Sequence, residues 1–478
     1  MKILFIAAED APLVKVGGLA DVVGSLPQAL QELGHDVRIV LPKYDCLDTT
    51  KYSSPYLQNS FQIKAFGNIE TISLETATTN DNIPIFLIGN QKYFSGKPVY
   101  GGNELERFFF FSRAISQIMP ALCWQPNVVH CHDWHTALVP MFLKKSDSPY
   151  ATLFTIHNLA YQGLFDDNFM DRSGLRPYWK DWPPDAPEAR LSFMSQGILQ
   201  ADIISTVSEN YAREIMMPEN GAGLDALLRY RGKDVIGIIN GINLAEYDPR
   251  KDPYLRVRYD SHNIKGKIDD KTALQQEVGL PTDTSIPLIG MVQRLDEQKG
   301  LDIIEKGIEI ILSTYNVQFV IQGTGRELYE DTVRRIAARY PQKVAAITAF
   351  DTRLAHLIYA GADMFLMPSR FEPCGLGQMI AMHYGTIPIV RHTGGLVDTV
   401  PAFNRDLSTG NGFVFYLYTS EDMAKAIFTA VEIYHQQKTN WEKAVKRIMQ
   451  LDFSWQSSAR KYDFIYQSLM IKKPKAAR

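Results

Sequence analysis

Short apolar runs alternate with helix-spaced apolar positions along most of the chain. Ile3–Ala7 is a continuous apolar run, the signature of a strand buried on both faces. Leu19, Val22, Val23, Leu26, Leu30 and Leu33 then recur at helix spacing. Gly34 stops the helix before a second strand, Val37–Leu41. Pro27 lies inside that pattern and predicts a kink or the helix's first turn. Further strands are predicted at Val128–Cys131, Leu153–Ile156, Ile203–Val207 and Val235–Ile239. Tyr247-Asp-Pro-Arg and Asp252-Pro253 mark a break within residues 246–253, after which a second series begins. Its strands are Leu288–Val292, Phe319–Ile321, Val344–Ile347, Met364–Met367 and Ile387–Val390, with helices over 299–314, 325–339 and 375–385. Alternating βα patterns imply mostly parallel sheets covered on both faces. Two such series predict an α/β chain of two Rossmann-like domains facing a cleft, at 1–245 and 246–455. Residues 456–478 form a last helix and tail. The apolar stripe Tyr462, Ile465, Tyr466 and Leu469 fits packing on either domain, and Lys472–Arg478 is expected to fray. Asn80–Pro84 and the Pro-rich Arg176–Ala189 are expected as surface loops.

A chain of 478 residues exceeds one hydrophobic core, in agreement with two domains. With 45% hydrophobic and 22% charged residues and a net charge of −3, nothing calls for nucleic acid or an anionic membrane as partner. No apolar run reaches membrane-spanning length. Glu9 and Asp10 follow the N-terminal apolar residues too soon for a secretory leader, so Met1-Lys-Ile-Leu-Phe-Ile is expected to be a first strand. Cys46, Cys123, Cys131 and Cys374 lack disulfide-framework spacing, which fits a reducing cytosol and a cytoplasmic protein.

The candidate chemistry sits where predicted strands end. In Pro368-Ser-Arg-Phe-Glu-Pro-Cys-Gly-Leu376 the carboxylate of Glu372 follows a strand and precedes an expected helix start at Gly375–Met379. Arg391-His-Thr-Gly-Gly-Leu-Val-Asp398 repeats the arrangement, with Gly394 and Gly395 in the turn. Helix N-termini bind anions, and glycines admit a ligand close to the backbone. A carboxylate beside a phosphate-binding turn suits a nucleotide sugar. Arg294 and Lys299 follow the strand Leu288–Val292 and could neutralise a diphosphate leaving group; alternatively they pair with Asp296 or Glu297 on a solvated loop. The chain contains no Asp-x-Asp, so metal-independent transfer is expected.

Other features carry less. His130, His132 and His135 have poor spacing for a metal, since neighbours on a strand point to opposite faces; a strand end with groups satisfied by backbone is the plainer expectation. Gly323-x-Gly325 after a strand is half a dinucleotide fingerprint, but Leu328 stands where the third glycine belongs, which argues against NAD and leaves a nucleotide-binding turn. Cys374 has no paired base nearby in sequence. Tyr178, Trp179 and Trp182 either stack on a sugar or pin their loop. Lys15 with Gly17 and Gly18 is a mobile loop or an ordinary glycine turn. Phe350 could be core, and His157 at a strand end is by itself more often structural than catalytic.

Taken together, these blocks resemble the bacterial glycogen synthase and plant starch synthase family. Lys15-Val-Gly-Gly-Leu19, His132-Asp-Trp-His135, Thr155-Ile-His-Asn-Leu-Ala-Tyr-Gln-Gly163, Asn240-Gly-Ile-Asn243, Arg294-Leu-Asp-Glu-Gln-Lys-Gly-Leu301 and Gln322-Gly-Thr-Gly325 match family blocks in family order. Leu41-Pro-Lys-Tyr-Asp-Cys-Leu47 and Val99-Tyr-Gly-Gly102 look closer to type III and IV starch synthases and their bacterial relatives. The resemblance implies a GT-B fold whose C-terminal helix crosses back to the first domain. It implies retaining transfer of glucose from ADP-glucose to the non-reducing 4-OH of an α-1,4-glucan (glycogen, amylopectin or malto-oligosaccharide), without cofactor or metal. It assigns Glu372, Arg294, Lys299, Asp133 and His157 to catalysis. It places Lys15, Gly17, Gly18, Asn240, Gly323, Thr324, Phe350, Cys374, Gly375, Leu376, Thr393 and Gly394 at the donor, Phe350 against the base. Asp21, Asn158 and Tyr161 fall to the acceptor, while residues 176–189 depart from the shorter bacterial pattern. The alternatives are another retaining GT-B enzyme with a different donor or a small acceptor, and a catalytically silent glucan-binding or priming scaffold. A phosphorylase is less well supported, for want of a cofactor-lysine signature. Intact Lys15, Asp133, His157, Arg294, Lys299 and Glu372 argue against the scaffold.

Overall fold

The computed structural model describes residues 1–180, 182–185, 187 and 191–472. The chain divides into two units, Met1–Gly241 with Trp455–Arg478, and Ile242–Ser454.

The first unit is built on nine strands: β1 (Lys2–Ile6), β2 (Asp36–Pro42), β3 (Tyr56–Ala65), β4 (Asn68–Thr78), β5 (Pro84–Gly89), β6 (Val128–His132), β7 (Ala151–Ile156), β8 (Ile203–Thr206) and β9 (Val235–Gly237). Their order is β3-β4-β5-β2-β1-β6-β7-β8-β9. From β5 to β9 all neighbours are parallel; β3 and β4 add an antiparallel extension at one edge. The runs that read as strands are buried at nearly every position, as strands covered on both faces must be. The strands predicted above omit β3, β4 and β5, although β5 is itself a buried apolar run. β4 instead alternates, with Ile72 and Leu74 buried between more exposed neighbours, because one face of an antiparallel edge meets solvent.

Pro27 lies in the interior of the helix Gly18–Glu32, not in its first turn. Residues 176–180, expected as loop, are helical, whereas Asp181, Ala186, Glu188 and Ala189 lie outside the described residues. The helix Trp455–Lys472 settles the question of the apolar stripe. Trp455, Tyr462, Ile465, Tyr466 and Leu469 are buried in the core of the first unit. Each such side chain contributes about 1.5–3 kcal/mol on burial, enough together to hold the helix there. Polar contacts fix its register: Ser458 Oγ donates to the Ile239 carbonyl at 2.7 Å, and Gln456 Nε2 to Glu32 at 2.9 Å. Lys472 still belongs to the helix, and 473–478 lie outside the described residues.

The second unit holds β10 (Leu288–Val292), β11 (Gln318–Gln322), β12 (Val344–Ile347), β13 (Met364–Met367), β14 (Ile387–Arg391) and β15 (Phe413–Phe415), all parallel in the order β12-β11-β10-β13-β14-β15. In each sheet the strand order reverses once among the parallel strands of the core, at β1/β6 and at β10/β13. Ligands of open α/β sheets bind outside the C-terminal strand ends at such reversals, because the two connecting loops part there and leave a crevice.

Candidate active site

The loops leaving β1 and β6 carry Glu9, Lys15, Gly17 and Asp133; those leaving β10 and β13 carry Arg294, Lys299 and Glu372. Both reversals therefore hold residues expected to do chemistry.

In the first unit, Glu9 organises the loop after β1. Its buried carboxylate accepts the Val16 amide at 2.5 Å and the Gly17 amide at 2.7 Å, and also takes the Tyr100 hydroxyl. This folds the loop back so that Gly17 caps the helix Gly18–Glu32. Lys15 Nζ lies 2.6 Å from Asp21 in the first turn of that helix. Burial holds the Asp21 carboxyl above the usual carboxylate range, with Lys15 opposing. Neither Gly17 nor Gly18 has a left-handed backbone. A Cβ on Gly17 would come no nearer than 3.8 Å to Glu9, and one on Gly18 would meet nothing within 4 Å. The fold does not require glycine at either position.

Asp133 directly follows β6 in the left-handed region, φ 56°, a conformation that Asp tolerates better than bulky residues. The turn aims its carboxylate at the next strand end, where Oδ1 accepts the His157 amide at 2.8 Å and the Asn158 amide at 3.4 Å. Burial pushes the Asp133 carboxyl up to about 7, against those two hydrogen bonds. The His157 ring is neutral, since burial lowers it to about 3, and its Nε2 lies 3.0 Å from His132 Nδ1. Hydroxyls occupy both nitrogens of His130: Thr155 Oγ1 at 2.6 Å and Tyr466 at 2.8 Å. The reason is tertiary, since β7 and the last helix pack against that face of β6. Asn158 Oδ1 accepts the Ala160 amide, Tyr161 is largely exposed, and Asn240 is buried with no hydrogen-bond partner for Oδ1 among the described residues.

In the second unit, Lys299 Nζ lies 2.6 Å from Glu372 Oε2, and the Ser369 hydroxyl donates to the same oxygen at 2.9 Å; all three residues are largely buried. Lys299 therefore pairs with neither Asp296 nor Glu297. Half-exposed Arg294 does lie 3.4 Å from Asp296. The helix expected from Gly375 begins at Gly377 with Leu376 as its cap, because Gly375 is left-handed, φ 72°, and cannot continue it. The glycines at 394 and 323 have a structural cause. A Cβ on Gly394 would lie 1.8 Å from the Glu372 carbonyl oxygen, and one on Gly323 1.8 Å from that of Gln293. These turns seat the loops that carry Glu372 and Arg294, with the Gly395 amide donating to the Glu372 carbonyl at 3.0 Å. Thr324 accepts the Leu295 amide through its carbonyl, while Thr393 and Cys374 are buried. Phe350 is 82% exposed, which excludes the core reading.

Sequence reasoning missed Glu9, Tyr100, Ser369 and the bond from His132 to His157. A signal existed for Glu9, a carboxylate directly after a fully apolar strand. Tyr100 and the bond from His132 to His157 are set by contacts between distant segments, whereas Ser369 reaches Glu372 within one loop.

The starch synthase catalytic domain family matches residues 2–230, and glycosyl transferases group 1 matches 271–447. A glycogen synthase from Thermosipho melanesiensis is 43% identical over 99% of this chain and 100% of its own length. One from Thermotoga maritima is 40% identical over 99% of each. Among solved structures, the catalytic domain of starch synthase IV from Arabidopsis thaliana, bound to ADP and acarbose, aligns with TM-score 0.89 and 34% identity over 98% of this chain and 99% of that one. A sucrose-phosphate synthase from Thermosynechococcus elongatus, with TM-score 0.62 and 18% identity over 98% of this chain and 99% of that one, shares the fold alone. With the fold, the family models and the full-length relatives in agreement, the chain belongs to the glycogen and starch synthase family of GT-B hexosyltransferases.

Proposed function

We propose that the chain transfers an α-glucosyl group from ADP-glucose to the non-reducing 4-OH of an α-1,4-glucan, with retention and without a metal. The buried Lys299–Ser369–Glu372 cluster at the β10/β13 reversal carries this reading. A carboxylate accepts hydrogen bonds from sugar hydroxyls, and a lysine beside it offers positive charge to the departing diphosphate. Half-exposed Arg294, 3.4 Å from Asp296, supplies a second cation. Two side-chain cations do the work that a divalent ion does elsewhere, which makes metal-independent transfer the expectation.

Gly17 and Gly18, which the fold leaves free to carry a side chain, support a close approach of donor phosphate, to the Gly18 amide in particular, since the Gly17 amide already donates to Glu9. Neutral His157 contacts the glucosyl ring without adding charge, and Asp133 holds its backbone in place. In the reaction the C1–phosphate bond breaks, and the acceptor O4 bonds to C1 on the same face. The 4-OH proton passes to the departing phosphate oxygen. ADP in the starch synthase IV structure supports adenine as the base, with exposed Phe350 as its stacking surface. Incubation with labelled ADP-glucose and UDP-glucose in competition, with and without glycogen primer, tests the reading. Incorporation from ADP-glucose into α-linked product is expected; preference for UDP-glucose or a β-linkage would overturn it.

A further inference from the structure

We infer that His132 is a positioning residue that fixes the tautomer of His157, so that His157 offers Nδ1–H to an oxygen of the donor sugar. The inference rests on His157 contacting that sugar.

His132 is the last residue of β6, and His157 directly follows β7, its parallel neighbour. Their rings meet through His132 Nδ1 and His157 Nε2 at 3.0 Å. A hydrogen bond between two neutral imidazoles needs one N–H and one bare nitrogen, so only two arrangements exist. If His157 donates, His132 must carry its proton on Nε2. If His132 donates from Nδ1, its Nε2 is bare and His157 carries its proton on Nδ1.

The surroundings of His132 Nε2 decide between them. This atom is buried and has no hydrogen-bond partner among the described residues. The Phe5 ring stacks on His132 with centroids 5.1 Å apart, and the His130 ring lies 4.1 Å away with both nitrogens already taken by Thr155 and Tyr466. An orphaned buried N–H is rarer than an under-used buried acceptor. The favoured arrangement therefore leaves Nε2 of His132 bare and makes His157 a donor through Nδ1.

Two contacts then hold His157: Asp133 takes its backbone amide at 2.8 Å, and His132 holds its ring. Loss of the second would let the imidazole rotate and exchange tautomers. The donor sugar would lose a fixed hydrogen bond at the moment when C1 must face the acceptor, so the loss belongs in kcat more than in KM.

The test combines spectroscopy with kinetics on the full chain labelled with ¹⁵N-histidine. Long-range ¹H–¹⁵N spectra, assigned with His157→Ala, read the protonated nitrogen of His157. Protonation on Nδ1 is expected in the wild type; protonation on Nε2 overturns the inference even if every variant proves unstable. His132→Phe keeps the ring stack and removes both nitrogens. His132→Asn returns an amide near the Nδ1 position, and His132→Gln near Nε2. His132→Phe and His132→Gln should show mixed His157 tautomers and a kcat lower by roughly tenfold, with donor KM within about twofold; a hydrogen bond of ordinary strength has that rate equivalent. His132→Asn should restore both. Wild-type turnover in His132→Phe, or no advantage of Asn over Gln, refutes the positioning role. If His157→Ala itself turns over normally, the sugar-contact reading fails, while the tautomer spectrum still judges the bond to His132.

Discussion

Lys299 Nζ and Glu372 Oε2 lie 2.6 Å apart although 73 residues separate them in the chain. The pair joins the loops leaving β10 and β13, and the Ser369 hydroxyl completes the coordination of that oxygen. Removing one member of a buried pair strands the other's charge, which typically costs about 3–5 kcal/mol. Lys299→Ala is therefore expected to lower thermal stability more than Lys299→Ala combined with Glu372→Gln. Both single variants should lose roughly 10²–10³ in kcat, the usual loss on removing one preorganised charge partner. Glu372→Gln should keep most of its ADP affinity, and a chelator should leave wild-type activity intact. Calorimetry of ADP binding, melting curves and initial rates with and without chelator measure all four outcomes.

Asp133 gives a pH signature. Its folded carboxyl is pushed up to about 7 by burial, from an ordinary value of 3.8. Between those values the unfolded chain has released the proton that the folded chain still holds, so this group makes stability fall as pH rises from about 4 to 7, and adds nothing further above. Asp133→Asn keeps the oxygen that accepts the His157 amide but cannot titrate. The wild type should lose up to about 4 kcal/mol relative to this variant across that window. Asp10, pushed up to about 8 by burial, has the same sign but cancels in the comparison. Urea unfolding of both proteins at three pH values reads the difference; a constant gap would refute it.

Two glycine-to-alanine variants should behave oppositely. At Gly394 a Cβ would sit 1.8 Å from the Glu372 carbonyl oxygen on a backbone with φ 48°. Gly394→Ala must displace the Glu372 loop and should cost both stability and turnover. Gly18 opens a helix and a Cβ there would meet nothing within 4 Å. Gly18→Ala is expected to stabilise by up to about 1 kcal/mol yet to raise donor KM, because the methyl meets the donor phosphate. Melting temperature and KM, measured together, separate the cases.

Phe350, 82% exposed, predicts a pure affinity effect. Phe350→Ala should change stability by less than about 0.5 kcal/mol, as exposed substitutions do. Loss of stacking on the base is worth about 0.5–1.5 kcal/mol, so KM for the donor should rise by roughly threefold to tenfold at nearly constant kcat. An unchanged KM would remove Phe350 from the donor site.

The amino-acid sequence by itself determined the βα alternation, because a strand buried on both faces must be largely apolar, as in β1 and β13. It also placed Asp133, His157, Arg294, Lys299 and Glu372 just beyond strand ends, a local property that needs no knowledge of strand order. Tertiary structure decided the partners. That Lys299 meets Glu372 rather than Asp296 follows from β10 lying beside β13, and that His132 meets His157 follows from β6 lying beside β7. It separated glycines of one appearance: Gly323 and Gly394 yield to neighbouring backbone, while Gly17 and Gly18 do not. It chose the first unit for the stripe Tyr462, Ile465, Tyr466 and Leu469, which either unit could have covered. Apolar periodicity reports how much of a segment is buried, but what it is buried against depends on the order in which the whole sheet assembles.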